Sequence, residues 1–171
     1  MQIRTATRTD IPAIAKVHVD TWRTTYRGLV PDELLAGLSY ENRAETWHRI
    51  FDSAATDGNF TLVGEDSTGQ TVGFANGGPE RTGDLIYKGE LNAIYILRSA
   101  QGRGAGRALV RAVVDALLAS NLDSMMVWVL AENPACKFYE HLGGQRIGEK
   151  EVEIGGRLVK ELAYGWRKLE R

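Results

Sequence analysis

Three alternate glycines, Gly102, Gly104 and Gly106, stand between an apolar run and an amphipathic segment. The run Leu91–Leu97 predicts a strand and Gly104–Ser120 predicts a helix, so the glycines mark a tight strand-to-helix turn. A helix N-terminus binds anions through its free N–H groups and the positive end of its dipole, and glycines let a phosphate approach the backbone closely. This turn therefore predicts a phosphate-binding site.

The charges around the turn agree with this prediction. Residues 91–114 include no acidic residue but four arginines, Arg98, Arg103, Arg107 and Arg111. The last three are spaced by four residues, which is also typical of a solvated helix face. That alternative leaves the three glycines unexplained.

Two common nucleotide-binding motifs do not fit this turn. A dinucleotide fingerprint that starts at Gly102 needs glycine or alanine at position 107, where Arg107 stands. It also needs an acidic residue at the end of the next strand, which here ends in Leu130 and Ala131. A P-loop needs Gly-Lys followed by Ser or Thr, which the turn lacks. The turn is therefore not expected to bind NAD or ATP.

Length and composition limit the remaining choices. The 171 residues correspond to one domain, residues 1–171. A net charge of −1 argues against non-specific nucleic-acid binding. The single cysteine, Cys136, excludes an internal disulfide and a multi-cysteine metal site, and no metal is expected. The polar N-terminus and the absence of an apolar run of about 18 residues predict a cytoplasmic protein without a membrane partner.

Apolar periodicity and turn residues predict alternating helices and strands. Helices are predicted over residues 11–26, 32–37, 40–52, 104–120 and 135–142, and strands over residues 3–7, 59–65, 71–76, 91–97, 125–130, 146–154 and 158–166. A strand, a helix and a strand over residues 91–130 imply a right-handed crossover and a parallel pair, whereas hairpins on either side imply antiparallel neighbours. The fold class is α/β, or α+β by a stricter definition.

Two motifs, in the expected order, resemble those of the GCN5-related N-acetyltransferase (GNAT) superfamily. The first is the pattern Q/R-x-x-G-x-G/A, carried by Gln101, Gly104 and Gly106. The second is an apolar strand followed by Asn133 and then by a helix with a Phe-Tyr pair at 138–139. The resemblance implies the GNAT fold, a mixed sheet of about seven strands that splays between the fourth and fifth strands, with a bulge in the fourth and about four flanking helices.

The resemblance also implies that acetyl-CoA, as co-substrate, lies in the splay. Its pantetheine arm would pair with the fourth strand, its pyrophosphate would rest on the amides of the glycine turn, and Asn133 would bind the pantetheine side. The implied cofactor-binding residues are Ile94, Tyr95, Ile96, Gln101, Gly102, Arg103, Gly104, Ala105, Gly106, Arg107 and Asn133. Gly144 departs from the family pattern, in which a phenylalanine is usual after the helix.

Acetyl transfer to an amine requires a neutral amine, and the departing thiolate gains from a nearby acid. The resemblance implies Tyr139 as that acid and Glu90, which acts through water, as the base. The alternatives are that Tyr139 is an ordinary core tyrosine and that Glu90 is a solvent-exposed charge at the end of a strand. Asn92 is predicted to share a sheet face with Glu90 and to orient a water. A thiol nucleophile at Cys136 is less favoured because His141, five positions on, faces elsewhere, so direct transfer is preferred.

An aromatic stripe on the first helix predicts one wall of the acceptor pocket. His18, Trp22 and Tyr26 recur every four residues and so share a helix face. In the superfamily this helix borders the acceptor, so Trp22 and Tyr26, together with Asn92, are the predicted substrate-binding residues. Aromatic rings hold an alkylammonium by cation–π contact. Aromatic anchors packed into the core are the alternative.

Residues 77–88 are rich in glycine and proline and predict an exposed loop that forms the opposite wall, with Glu80 and Asp84 available to a cationic substrate. The leading hypothesis is an N-acetyltransferase that acts on a primary amine of a small molecule, such as a polyamine-like compound. One alternative is a protein N-terminal or lysine acetyltransferase, which needs an open peptide groove. Another is a non-catalytic acyl-CoA-binding regulatory domain. The resemblance leaves a homodimer open.

Overall fold

The computed structural model describes residues 1–170, in which seven strands form one mixed sheet with five α-helices around it. The strands are β1 (Gln2–Thr5), β2 (Phe60–Glu65), β3 (Thr71–Pro79), β4 (Gly89–Ile96), β5 (Met125–Leu130), β6 (Gln145–Ile154) and β7 (Arg157–Trp166). The helices are α1 (Ile11–Thr25), α2 (Asp32–Ala36), α3 (Tyr40–Asp57), α4 (Ala105–Ala119) and α5 (Ala135–His141). None of the helices described is both long and apolar enough to cross a membrane.

The spatial order of the strands is β1-β2-β3-β4-β5-β7-β6, and β4 and β5 form the one parallel pair within residues 1–170. That pair is short, because Gly89 pairs with Met125 and Glu90 with Met126, and the two strands then separate. The predicted mixed sheet of seven strands, splayed between the fourth and fifth, is confirmed. The helices number one more than the family resemblance implies, because the five-residue α2 is a separate element.

The predicted bulge in β4 lies at Asn92. Asn76 of β3 pairs with Ala93, and the next residue, Gly77, pairs with Leu91, so Asn92 is the extra residue on β4. A bulge bends its strand and increases the local twist. The bend lies two residues after the last pair between β4 and β5, at the point where the strands diverge.

The sheet packs between two helical layers. Leu109 of α4 is buried with Leu62 on one side, whereas Ile14 of α1 and Trp47 of α3 are buried with Val63 on the other. Leu62 and Val63 are consecutive on β2, and consecutive strand residues face opposite sides of a sheet. Burial of each such side chain contributes about 1.5–3 kcal/mol, and these two layers hold the splayed strands in place.

The prediction of a loop from residue 77 is wrong at its start, because β3 continues through Pro79. Gly77 and Gly78 pair with β4, and a Cβ atom at Gly78 would lie 2.2 Å from Oδ1 of Asn59. Glycines in a strand interior mark close approach of a neighbour as well as turns. These two glycines therefore serve close packing, and the loop begins after Pro79.

Gly144 stands where the family usually has phenylalanine, and Trp166 of β7 occupies the space. A Cβ atom at Gly144 would lie 2.6 Å from the Trp166 ring. The indole Nε1 of Trp166 donates to the carbonyl of Leu142 at 2.9 Å, and the ring lies edge-on to Tyr139 with centroids 6.3 Å apart. The aromatic core group is thus supplied by another strand.

His18 of α1 is a core residue. Its Nδ1 accepts a hydrogen bond from Nε1 of Trp47 at 3.2 Å, and its ring stacks on Tyr95 with centroids 4.6 Å apart. Burial, together with the positive charge of Arg43, lowers the pKa of His18 to about 3. The imidazole is therefore neutral in the folded protein at neutral pH.

This neutral histidine makes stability depend on pH. In the unfolded chain the imidazole gains a proton near pH 6.5, whereas the folded protein resists protonation down to about pH 3. The contribution of His18 is therefore present above pH 6.5 and lost as the pH falls. We expect the free energy of unfolding in urea to fall by about 2 kcal/mol from pH 7 to pH 5 through this residue. His18→Gln should remove that fall and His48→Gln, at an exposed position, should keep it; equal pH dependence in both variants would contradict the assignment.

Candidate active site

A cleft of about 860 Å³ lies where β4 and β5 separate, and most of the predicted cofactor-binding residues line it. They are Ile94, Tyr95, Ile96, Gln101, Gly102, Gly104, Ala105, Gly106, Arg107 and Asn133. Arg103 is the exception, because it is exposed on the turn and is not among the lining residues. Arg98, Trp128 and Phe138, which were not predicted as binding residues, also line the cleft.

The glycine turn gives this cleft a backbone surface suited to an anion. Gly102 and Gly104 have φ angles of 72° and 84°, a conformation that favours glycine. A Cβ atom at either position would meet nothing within 4 Å in the described chain, so the space beside the turn is open. Gly104 is the residue before α4, whose first turn carries no acidic residue. Free N–H groups, the helix dipole and the nearby Arg98 and Arg107 together suit a phosphate group.

Gly106 and Gln101 fix the turn against its surroundings. A Cβ atom at Gly106 would lie 3.1 Å from the Phe138 ring, so a small residue lets α4 and α5 approach closely. The side chain of Gln101 donates from Nε2 to the carbonyl of Ile96 at 2.8 Å. The turn is therefore tied both to α5 and to the end of β4.

Asn133 lies on the opposite side of the splay, between β5 and α5. It is buried, and its Oδ1 accepts the backbone N–H of Ala135 at 2.9 Å. This bond stabilises the tight connection from β5 into α5. The residue thus lines the cleft, as predicted, and also shapes the start of the helix that carries Tyr139.

Tyr139 lines the cleft and is otherwise buried among aromatic side chains. Its ring centroid lies 5.4 Å from that of Phe138 and 6.1 Å from that of Tyr164. Burial raises the pKa of Tyr139, and the proximity of Tyr95 and Cys136 raises it further. The phenol therefore keeps its proton at neutral pH. Tyr139 therefore lies at the predicted site and also packs in the aromatic core, which was the alternative role.

A second cavity of about 350 Å³, here named the acceptor cavity, adjoins the cleft. Five residues line both spaces: Tyr26, Asn92, Tyr95, Trp128 and Val129. The predicted substrate-binding residues Trp22, Tyr26 and Asn92 all line the acceptor cavity, and so does Glu90. Two predicted groups of residues, distant in sequence, thus line two adjoining cavities.

The aromatic stripe of α1 both lines the acceptor cavity and packs into the core, the two roles that the sequence allowed. Trp22 and Tyr26 line the acceptor cavity, with ring centroids 4.6 Å apart. Both also pack against the buried cluster of Val30, Leu35 and Leu130. Burial, with the proximity of Tyr95, raises the pKa of Tyr26, so this phenol is also protonated at neutral pH.

Glu90 is buried, and both of its carboxylate oxygens accept hydrogen bonds from Arg81. The distances are 3.0 Å from Nε to Oε2 and 2.6 Å from Nη2 to Oε1. The Arg81 side chain is 58% exposed, so it reaches from the surface to the carboxylate. Each carboxylate oxygen still has a lone pair for a further donor such as water. Sequence reasoning predicted the position of Glu90 but not its partner.

The loop of residues 80–88 forms a wall of the acceptor cavity, but with side chains other than those predicted. Glu80 accepts backbone N–H bonds from residues 82–84, and Asp84 accepts them from residues 86 and 87. Both carboxylates thus stabilise their own loop, and neither lines the cavity. Arg81 and Thr82 line it instead.

Further lining residues come from β5, β6 and β7 and were not predicted. Nζ of Lys150 lies 3.4 Å from Oε2 of Glu161 and 3.9 Å from the centroid of the Trp128 ring. Lys150 and Glu161 are cross-strand partners of β6 and β7, so their meeting depends on the strand register. Of Trp128, Lys150 and Glu161, only Trp128 stands out in the sequence, because it is a large aromatic residue in an otherwise aliphatic strand.

Cys136 does not line the cleft. It is buried, its Sγ lies 3.4 Å from the carbonyl oxygen of Leu130, and burial raises the pKa of its thiol. His141 is exposed and its Nδ1 bonds to the carbonyl of Lys137. A buried thiol with a raised pKa is a poor nucleophile, which favours direct transfer.

Comparison with known proteins agrees with this geometry. The sequence profile of the acetyltransferase (GNAT) family matches residues 20–144. The chain is 42% identical over 164 residues to the uncharacterized N-acetyltransferase YuaI of Bacillus subtilis, covering 96% of this chain and 91% of that protein. It is 27% identical over 153 residues to the L-methionine sulfoximine/L-methionine sulfone acetyltransferase of Pseudomonas aeruginosa, covering 90% and 84% of the two chains.

Solved structures share the fold. The ribosomal-protein-alanine N-acetyltransferase of Brucella melitensis superimposes with a TM-score of 0.76 at 26% identity, covering 97% of this chain and 99% of that one. YncA of Salmonella typhimurium, solved with its cofactor acetyl-CoA, gives a TM-score of 0.73 at 21% identity, with 99% and 94% covered. With the family profile matched over most of its length, this chain belongs to the GNAT family and is an acetyl-CoA-dependent N-acetyltransferase.

Proposed function

We propose that this enzyme moves the acetyl group of acetyl-CoA directly to a primary amine of a small molecule. The observation that carries the proposal is that the two spaces adjoin and share five lining residues, Tyr26, Asn92, Tyr95, Trp128 and Val129. An amine in the acceptor cavity and a thioester in the cleft would meet at these residues without a covalent enzyme intermediate. A cavity of about 350 Å³ is in the range of small-molecule sites.

The chain offers one group for each proton that the reaction moves. The Tyr139 phenol is protonated and lines the cleft, so it supplies a proton as negative charge develops on the departing sulfur. Glu90 lines the acceptor cavity, and its free lone pairs suit a water that takes the proton from the amine. Acetyl-CoA, when bound at the glycine turn, supplies the activated acetyl group.

The charges of the acceptor cavity are balanced, so the cavity is compatible with an amine that also carries an acidic or oxygen-rich group. Arg81 and Lys150 contribute two positive charges beside the two negative charges of Glu90 and Glu161. With no net negative charge, the cavity offers no overall electrostatic attraction to a polyamine-like substrate, which brings only positive charge.

Two indole groups of the cavity support the same choice. The buried Nε1 atoms of Trp22 and Trp128 have no acceptor among the described residues. Such donors, with the Arg81 guanidinium, suit carboxylate or sulfonyl oxygens. A relative whose name gives amino-acid analogues as substrates, the L-methionine sulfoximine/L-methionine sulfone acetyltransferase, agrees with this preference.

Release of free thiol from acetyl-CoA, measured against a panel of acceptors, tests the proposal. The panel contains L-methionine sulfone, spermidine, an alanine-terminated peptide, a lysine peptide and a reaction without acceptor. We expect the fastest release with L-methionine sulfone, slower release with spermidine, and little with either peptide.

Two other outcomes of the panel would contradict the proposal. Preference for a peptide would establish the protein acetyltransferase alternative. The ribosomal-protein-alanine N-acetyltransferase of Brucella melitensis, which shares the fold, is an enzyme of that kind. No acceptor-dependent release, despite acetyl-CoA binding, would contradict the proposed choice of acceptor. The cytoplasmic location and the homodimer remain predictions.

A further inference from the structure

A chain of side-chain amides leads from the interior of the sheet to the acceptor cavity. Nδ2 of Asn76, on β3, donates to the backbone carbonyl of Phe60 at 3.0 Å and to Oγ1 of Thr61 at 3.0 Å. A backbone carbonyl can only accept, so the amide of Asn76 has one orientation. Its Oδ1 is therefore the atom that faces Asn92.

This orientation determines that of Asn92 in turn. Nδ2 of Asn92 donates to Oδ1 of Asn76 at 3.0 Å and to Oδ1 of Asn59 at 3.3 Å. Because both N–H groups of Asn92 donate to Asn76 and Asn59, only its Oδ1 remains available for another hydrogen bond. That oxygen is buried and accepts no hydrogen bond from the described residues.

The unused oxygen belongs to a residue that lines both cavities. Asn92 is the bulge residue of β4 and lines both the cleft and the acceptor cavity. Glu90, in the same cavity, keeps a lone pair on each oxygen but already receives hydrogen bonds from Arg81 on both, whereas Oδ1 of Asn92 receives none. A buried acceptor without a donor is unfavourable, so Oδ1 of Asn92 is ready for a donor that a ligand brings.

We infer that Oδ1 of Asn92 accepts an N–H of the acceptor amine, and that Asn76 is a positioning residue that fixes this oxygen toward the acceptor cavity. The inference rests on the proposed function and adds its amine-binding contact. An amine donates N–H whether neutral or protonated, and an amide oxygen holds it without taking its proton. The nitrogen lone pair of the neutral amine stays free for attack.

Binding of n-propylamine to the CoA-saturated enzyme tests the contact, because the amine is the only polar group of this probe. Trp22 and Trp128 line the cavity and report binding by fluorescence. We expect Asn92→Leu to weaken binding about tenfold through loss of a hydrogen bond to a charged donor. Asn76→Leu removes the nearer acceptor that orients Asn92 and should weaken binding about threefold.

Thr61→Val is the matched control. It removes a buried hydrogen bond from the same chain of amides, but the Phe60 carbonyl still orients Asn76. Its affinity for n-propylamine should equal that of the wild type. A melting shift with acetyl-CoA, measured for every variant, shows that each one folds and keeps the cleft. Asn92→Ala repeats the test with a smaller side chain.

Three results would overturn the inference. They are unchanged binding in both Asn92 variants, equal weakening by Thr61→Val and Asn76→Leu, and no saturable binding of n-propylamine to the wild type. Failure of the proposed function is distinct. It would appear as a wild type that binds n-propylamine through Asn92 but acetylates no small amine.

Discussion

Tyr139→Phe is expected to lower kcat about 100-fold, within the usual range for a general acid. Tyr139 lines the cleft, and the substitution keeps its ring and the contacts with Phe138 and Tyr164 and removes only the hydroxyl. The KM for acetyl-CoA should change little, because the hydroxyl acts on charge that develops in the transition state. Steady-state rates measured where the chemical step limits turnover give both values.

Tyr164→Phe provides the control for this experiment. Tyr164 is a buried tyrosine of the same aromatic cluster, and its hydroxyl donates to Oε1 of Glu140 at 2.8 Å, but it does not line the cleft. Its loss should reduce stability by about 1 kcal/mol and leave kcat near the wild-type value. Full turnover by Tyr139→Phe would refute the acid role and leave solvent as the proton donor.

Local pattern predicted the elements of this fold well where periodicity and turn residues agree. β5 has the predicted bounds, Met125–Leu130, because an apolar run begins after Ser124 and is followed closely by Glu132 and Asn133. The ends of elements that depend on tertiary packing were harder to predict from the sequence. α3 runs to Asp57, beyond its predicted end, and stops at Gly58, whose φ is 70°. Gly78 was assigned to a loop, although it serves close contact with Asn59.

In the candidate site, too, local motifs were predictable from the sequence and contacts between distant residues were not. The glycine turn and the Asn133–Tyr139 segment are local motifs, so sequence reasoning found many of the residues that line the cleft. The acceptor cavity depends on pairs that are distant in the chain. Lys150 meets Glu161 only through the register of a hairpin, and Arg81 reaches Glu90 only because of the path of its loop. No local signal marks either pair.

That loop has a tertiary anchor that sequence reasoning did not include. Tyr87 is buried against β7, and a Cβ atom at Gly165 would lie 2.5 Å from its ring. The glycine leaves room for the ring, and the ring fixes the end of the loop that carries Arg81 and Thr82. The wall of the acceptor cavity is therefore set by a contact between distant residues.

Gly104→Asp is expected to abolish the stabilisation by acetyl-CoA. For the wild type, acetyl-CoA at about 100 times its dissociation constant should add about 2.7 kcal/mol to the free energy of unfolding. An aspartate at position 104 would place a negative charge in the open space beside the turn, where the pyrophosphate is expected. It would also strain the backbone, because φ at Gly104 is 84°.

Gly104→Ala separates these two effects, because it has the same backbone strain but no charge. Both variants should therefore melt below the wild type without ligand. Only the aspartate variant should lose the response to acetyl-CoA, and neither NAD nor ATP should shift the melting temperature of any of the three proteins.

The melting temperature with and without millimolar acetyl-CoA, compared among wild type, Gly104→Ala and Gly104→Asp, tests most directly whether the glycine turn holds the acetyl donor. The structure predicts a clear rise for the wild type, a rise for the alanine variant and none for the aspartate variant. An equal rise in all three proteins would mean that the glycine turn is structural only, and an unchanged melting temperature of the wild type would contradict a donor site in this cleft.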